Sequence, residues 1–473
     1  MMQVLRFLFI LLEVVVLFNL LIIVHELGHF LAARWRGLVV EKFGVWFGKP
    51  LWKKTINGVQ YSLGSIPFGG FVSVPQLAPM DIIEGKVDTD RAKLPPVSAL
   101  DKIIVAIAGP LFSLLLALFF AAVVWLVGHP VGESDLTTTV GYMPAESPAA
   151  KAGIQPGDRI LEVDGQPVTR FSGMNNSVTW NVVRSEGMTI PFKIERNGAV
   201  LAFQVVPHKA ETSGWRRKSV RQVMILPAQT PLVDEVQPDT PAATAGLMKG
   251  DVIRGFNGTP IFHPIALADY IEKNREQPLT LQVLRDGKLI EPQVQPVMLA
   301  NDEGEKSPRI GIRWDATGRT SIAHPDPVEQ VYNSVTSTLN TIGAVASPKS
   351  DIKLQHLSGP VGIGRIYYLL FQSERGWQLA LWFSVILNVN LAILNMLPIP
   401  VLDGGHIVLA IIESIRRKPV NIRVLEVVQT ACAVLIIGYM AYVSFFDIGD
   451  LFGRDPDDEP PRRSAPANPS PAP

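Results

Sequence analysis

His25-Glu26-Leu27-Gly28-His29 places two imidazoles one helical turn apart, with a carboxylate beside the first. At i and i+4 both rings share one helix face, the spacing a zinc ion needs. The glutamate is then placed to carry protons next to the metal. All five residues lie in an apolar stretch from about Phe7 to Ala33, long enough to cross a bilayer. Ionisable side chains at membrane depth are costly, so three within five residues mark a functional site. A catalytic zinc also needs a third protein ligand and an open position. His129, His208, His263, His324 and His356 fall in or at the edge of a long segment between apolar runs, on the wrong side, and His406 lies near a span end. No HExxHxxGxxH continuation and no later glutamate on the same helix is present, so soluble zincin arrangements fit poorly.

The elements that must hold this chemistry follow from the apolar runs. Besides the first, Ile103–Val127, Trp377–Leu397 and Val427–Phe446 are candidate spans. The first run is too long for a signal peptide and has no convincing cleavage site. Arg34, Arg36, Lys42, Lys53 and Lys54 follow the first run, and Arg91, Lys93 and Lys102 precede the second. Arg416, Arg417, Lys418 and Arg423 separate the third from the fourth. By the positive-inside rule these segments face the cytoplasm, and both termini and residues 130–375 face outward. The third run ends in Asn395-Met396-Leu397-Pro398-Ile399-Pro400-Val401-Leu402-Asp403-Gly404-Gly405. Asp403 is its one acid at that end and reaches a depth similar to His25 and His29. Pro398 and Pro400 break the helix, and Gly404-Gly405 allow a turn that aims the carboxylate inward. Such broken backbone is tolerated at membrane depth only against protein or a wet cavity.

The rest of the composition sets bounds. The chain has 473 residues, 47% of them hydrophobic and only 18% charged, which favours a membrane protein. Lys+Arg and Asp+Glu both number 43, so charge gives no reason to expect a nucleic-acid partner. Cys432 is the single cysteine, which excludes an intrachain disulfide and a cysteine zinc site. The outward segment repeats: Pro148-Ala149-Ala150-Lys151-Ala152-Gly153-Ile154-Gln155-Pro156-Gly157-Asp158 returns as Pro241-Ala242-Ala243-Thr244-Ala245-Gly246-Leu247-Met248-Lys249-Gly250-Asp251. The offset is about one small domain. Arg196-Asn197-Gly198 and Arg285-Asp286-Gly287 then mark a hairpin in each copy. Val328, Val331, Tyr332, Val335, Leu339 and Ile342 predict an amphipathic helix at the membrane surface or against these repeats. Asp455 to Pro473 reads as disordered.

HExxH in the first span with NxxPxPxLDG in the third resembles the site-2 protease family of intramembrane zinc metalloproteases. The two repeats, with AGΦxxGD followed by (D/N)G, resemble tandem PDZ domains, as in the bacterial subgroup that cleaves anti-sigma factors. The resemblance implies a polytopic α-helical membrane protein with about four transmembrane helices, a membrane-associated β-loop and two periplasmic α+β PDZ domains. Its expected divisions are 1–129, 130–218 and 219–305 for the PDZ units, a linker over 306–375, the last spans over 376–452, and a tail from 453. It implies one Zn2+ held by His25, His29 and Asp403, with Glu26 as general base.

The resemblance also implies that Tyr61–Val72, with Gly69 and Gly70, presents a strand edge to an unwound substrate. Asn390, Asn395 and Pro398 then lie at the substrate, helix–helix hydrogen bonding being the plain alternative for the asparagines. Gly153, Ile154, Gly246 and Leu247 are candidate peptide loops of the PDZ units, which bind extended peptides by strand addition or act only as a size filter. The implied location is the bacterial inner membrane, with the site near its cytoplasmic side. The expected partners are the lipid bilayer and single-span proteins, such as an anti-sigma factor already trimmed by another protease, or signal-peptide remnants. Ala108-Gly109-Pro110 resembles a family packing motif; Ser113 stands where the family often has Asn, and Trp46 and Phe71 also depart from its commoner pattern. Glu13 reads as structural and His406 as an edge histidine. A metal transporter and a PDZ scaffold without proteolysis are the competing classes.

Overall fold

The computed structural model describes residues 2–77, 94, 97–212, 216–275, 277–300, 306–315, 318–418 and 420–452. The expected disordered tail and the basic residues Arg91 and Lys93 lie outside the described residues. The chain divides into two compact units. Among the described residues, one comprises those within 2–129, 323–342 and 354–451, the other those within 130–322 and 343–353.

The first unit begins with α1 (Met2–Trp35). A four-stranded sheet follows: β1 (Lys42–Phe47), β2 (Trp52–Ile56), β3 (Val59–Leu63) and β4 (Ile66–Ser73). Its order is β2-β3-β1-β4, so β4 is an edge strand. Next comes α2 (Ala99–Val127), started by the Ser98 side chain accepting from the Asp101 N–H. Among the described residues four helical segments are long and apolar enough to cross a membrane: Val4–Trp35, Ala99–Val127, Gly376–Asn395 and Arg423–Asp450. These match the four runs expected from the sequence.

α1 and α2 approach almost backbone to backbone. A Cβ added at Gly28 would fall 2.4 Å from the Ala108 carbonyl oxygen, and one at Gly109 2.2 Å from His29 Nε2. Glycine at both positions is what lets the ligand-bearing face of α1 seat against α2.

The second unit contains the two repeats, each with its own core. In the first, Ile160, Val163, Ile190, Phe192 and Ile194 are buried around short helices at Pro148–Lys151 and Val178–Arg184. In the second, Ile253, Leu267, Leu281 and Val283 take the same part. The strand Leu226–Pro227 pairs with Val140–Tyr142, and Ile312–Trp314 pairs with Val233–Val236. Each repeat therefore draws on chain beyond the expected boundaries at 218 and 305.

The amphipathic helix forms as α3 (Pro327–Ala346), with its first residues through Ile342 in the first unit. Its apolar stripe is only partly buried. Val328, Tyr332 and Leu339 are exposed, while Gln330, Ser334 and Thr338 are buried. The Gln330 amide donates to the Ala121 carbonyl on α2 at 3.0 Å, and Val331 and Val335 join the cluster of Leu21, Ala117 and Val389. In a bilayer, apolar side chains are satisfied by lipid and polar ones seek other helices. An apolar stripe thus marks the lipid side as readily as the protein side.

α4 (Pro360–Gln372) follows, then α5 (Gly376–Asn395), α6 (Asp403–Arg416) and α7 (Ile422–Phe452). The α5–α6 break is the Pro398–Pro400 segment. Cβ atoms added at Gly404 and Gly405 would fall 2.2 Å from the carbonyl oxygens of Met396 and Ile399. The two glycines let the start of α6 fold against the end of α5, with Asp403 in its first turn.

Candidate metal centre

His25 and His29 project from one face of α1, and the α5–α6 break brings Asp403 to them. His25 Nε2 lies 3.2 Å from Asp403 Oδ2, His29 Nε2 lies 3.3 Å from Asp403 Oδ1, and the two Nε2 atoms are 3.3 Å apart. Zinc bonds of about 2.0–2.1 Å at tetrahedral angles separate donor atoms by about 3.3–3.4 Å. The triangle therefore already has the dimensions of three ligands on one ion.

Its hydrogen bonding fits the same ion. His29 Nδ1 lies 2.8 Å from the Val105 carbonyl oxygen, which only accepts, so that nitrogen carries the proton and Nε2 presents a lone pair. His25 Nδ1 lies 3.0 Å from Ser113 Oγ, so its Nε2 is likewise turned to the triangle. Asp403 Oδ2 is buried and, among the described residues, has no hydrogen-bond geometry to any donor, despite its closeness to His25. Lone pairs converging in a buried space, with a carboxylate oxygen left over, are a donor set that a divalent cation satisfies.

Around the triangle is a cavity of about 240 Å³ lined by Glu26, Gly70, Asn395 and His406 as well as the three ligands. Glu26 neighbours His25 in sequence and lines the cavity beside β4. Gly70 passes so close that an added Cβ would sit 3.3 Å from Glu26 Cγ. Asn395 Nδ2 lies 3.4 Å from His25 Nε2 at the cavity wall. The Ser73 carbonyl accepts from the Glu41 N–H at the start of β1, so the backbone groups of Val72 point away from β1. Because strand backbone groups alternate, the N–H and C=O of Gly70 share that outward direction. The free edge of β4 thus faces the cavity.

Several expected site residues lie elsewhere. Asn390 accepts a hydrogen bond from Thr338 on α3 and is absent from the cavity wall, which is the helix–helix alternative. Pro398 shapes the break and does not line the cavity. Ile154 and Leu247 are core residues of their repeats. Gly153 and Gly246 have φ of +96° and +74°, and their carbonyls accept from Arg196 and Arg285. Those arginines also grip Asp158 and Asp251 with two hydrogen bonds each. The repeated AGΦxxGD motif therefore builds an arginine-clamped turn in both copies. His406, expected as an edge residue, lines the cavity.

Two residues support the ligands: Ser113, which the sequence marks only as a departure from the family's pattern, and Val105, which it does not mark. Ser113 is fully buried and orients His25; its place four residues after Gly109, hence on the same face of α2, was the available signal. Val105 acts through its carbonyl and leaves no mark in the sequence.

The sequence profile of Peptidase family M50 matches residues 13–439. A Neisseria meningitidis serogroup A chain named as a zinc metalloprotease is 30% identical over 460 residues, covering 92% of this chain and 98% of that one. The regulator of sigma-E protease RseP of Escherichia coli is 28% identical over 476 residues, covering 94% and 100%. The regulator of sigma E protease of Salmonella typhi is 27% identical over 479 residues, covering 92% and 98%. Among solved structures, the PDZ domain of an SdrC-like protein from Listeria innocua covers 18% of this chain and 92% of its own, with 24% identity and a TM-score of 0.16.

Proposed function

The chain belongs to peptidase family M50 and is a zinc metalloprotease of the site-2 type in the inner membrane, and we propose that it cuts single-span membrane proteins within their transmembrane segments. The observation that carries this reading is the joining of three ligands, a carboxylate and a free strand edge around one cavity in a unit built from apolar helices.

His25, His29 and Asp403 would hold the zinc. When bound, the ion supplies Lewis acidity, which acidifies water and polarises the scissile carbonyl. Glu26 takes the proton from the attacking water and returns it to the departing amine. A helical substrate must first be unwound, because its carbonyls are occupied. The outward N–H and C=O of Gly70 then pair with the extended substrate as an added strand. The Asn395 amide, at the same wall, donates to a substrate backbone oxygen. Held this way, the scissile bond lies over Glu26 in a site entered by water from the cytoplasmic side.

The two repeats act as PDZ-type modules on the periplasmic side. A bulky outer domain clashes with them, so the substrate is trimmed there before it reaches the site. An anti-sigma factor is the substrate class this order favours, with signal-peptide remnants as a second. The test is a reconstituted reaction with one single-span substrate, given with and without a folded outer domain. Mass spectrometry then locates the cut. A cut inside the apolar segment of the trimmed form only is expected, with removal of residues 130–305 admitting the untrimmed form. A cut confined to the loop outside that segment would overturn the proposal.

A further inference from the structure

β4 is pinned to α1 at two points. Glu26 packs against Gly70 in the second half of the strand, an added Cβ there falling 3.3 Å from its Cγ. Asn19, seven residues earlier and so on the same face of α1, pins its beginning. The Asn19 Nδ2 donates to the Pro67 carbonyl oxygen at 3.1 Å and to that of Val15, one turn back, at 2.7 Å. Its Oδ1 accepts from Trp46 Nε1 at 2.8 Å. Asn19 is only 6% exposed, within a span otherwise rich in apolar residues.

Trp46 is unusual in its own right. Its φ is +68°, a region that glycine occupies freely and a bulky side chain enters only when its surroundings impose it. It sits at the irregularity where the β1–β4 register shifts, between Val45 and Phe47. A bulge of this kind sets where a strand bends and fixes pairing on either side. The indole hydrogen bond to Asn19 ties that bulge to α1, and Asn19 ties the same point of α1 to Pro67. Ile22, one turn on from Asn19, packs under Gly70.

We propose that Asn19 and Trp46 form a register lock: positioning residues that fix β4 along α1 and so select which substrate bond lies over Glu26. This deepens the strand-addition reading and rests on it. Because side chains alternate along a strand, a substrate that slips keeps its faces only by moving two residues. Loosening the lock therefore adds cuts two residues from the native one.

The experiment uses the full chain in detergent, as wild type, Asn19→Leu and Trp46→Phe. Trp46→Phe keeps a ring in place and removes only the indole donor. Zinc content reports that the metal centre is intact in each. Hydrogen exchange is followed in peptides covering residues 66–73, and cut positions are mapped by mass spectrometry. Expected are unchanged zinc, roughly tenfold faster exchange in 66–73 for both variants, and a second product displaced by two residues with a lower kcat. Unchanged exchange in zinc-loaded Asn19→Leu would overturn the lock. Faster exchange with a single unshifted product would overturn its role in choosing the bond. If wild type cuts nothing, strand addition fails, and the exchange result alone decides the lock.

Discussion

Replacing Ser113 by Ala removes one hydroxyl that is 3.0 Å from His25 Nδ1 and fully buried. His25 itself is only 6% exposed, so no solvent can take over the bond. A buried donor left unpaired costs about 1–3 kcal/mol. The imidazole also becomes free to turn or change tautomer, which removes its lone pair from the triangle. Loss of such a supporting hydrogen bond typically weakens metal binding about 10–100-fold, equivalent to about 1.4–2.7 kcal/mol. His29 cannot be disarmed in this way, because its Nδ1 partner is the Val105 carbonyl. The assay is a zinc titration of the purified chain against a competing chelator, with Ser384→Ala as a control. Ser384 is another fully buried serine; its hydroxyl bonds to Tyr367 and the Ala380 carbonyl. Zinc affinity down at least tenfold in Ser113→Ala and unchanged in Ser384→Ala is expected. Equal affinities for Ser113→Ala and wild type would refute the reasoning.

Further expectations follow from the same geometry. Gly109→Ala drives a methyl into His29 Nε2 and should abolish stoichiometric zinc binding, whereas Gly438→Ala, with nothing within 4 Å, should leave it unchanged; metal analysis of both decides. Arg285→Met leaves the Asp251 carboxylate, 1% exposed, without its cation and should cost the second repeat on the order of 3 kcal/mol, read as lost amide protection over residues 233–315. His263 caps a helix by accepting from the Ile265 N–H, and burial lowers its pKa to about 4. A depressed folded-state pKa means this contribution is complete above the ordinary histidine range near 6.5. It is lost as pH falls from there through about 4, by on the order of 2–3 kcal/mol. His263→Asn, which still caps, should flatten that loss in amide exchange measured from pH 7 to 4; an unchanged slope would refute it.

Much of the centre could be read from the sequence because its signals are local. HExxH fixes a helix face by spacing alone, and the prolines and glycines around Asp403 mark the break that turns it inward. The supporting groups were less legible, for physical reasons. Val105 acts through backbone, and Ser113 and Asn19 are single polar residues in apolar runs, where sequence shows their cost but not their partner. Trp46 gave no sign of a left-handed backbone, a region where glycine would be expected. For α3 the sequence left two placements open, the membrane surface or the repeats, because hydrophobicity does not distinguish lipid from protein as a neighbour. Strand β2 left no mark in the sequence because Trp52–Ile56 is exposed throughout and carries no alternating pattern.

The central claim is that the His25, His29 and Asp403 triangle and Glu26 form one proteolytic centre. The most direct measurement compares wild type with Glu26→Gln, in the same preparation, for zinc content and for cleavage of a single-span substrate. One zinc per chain in both, with cleavage in the wild type alone and abolished there by a chelator, is the expected result. Cleavage that persists in zinc-loaded Glu26→Gln would contradict the account.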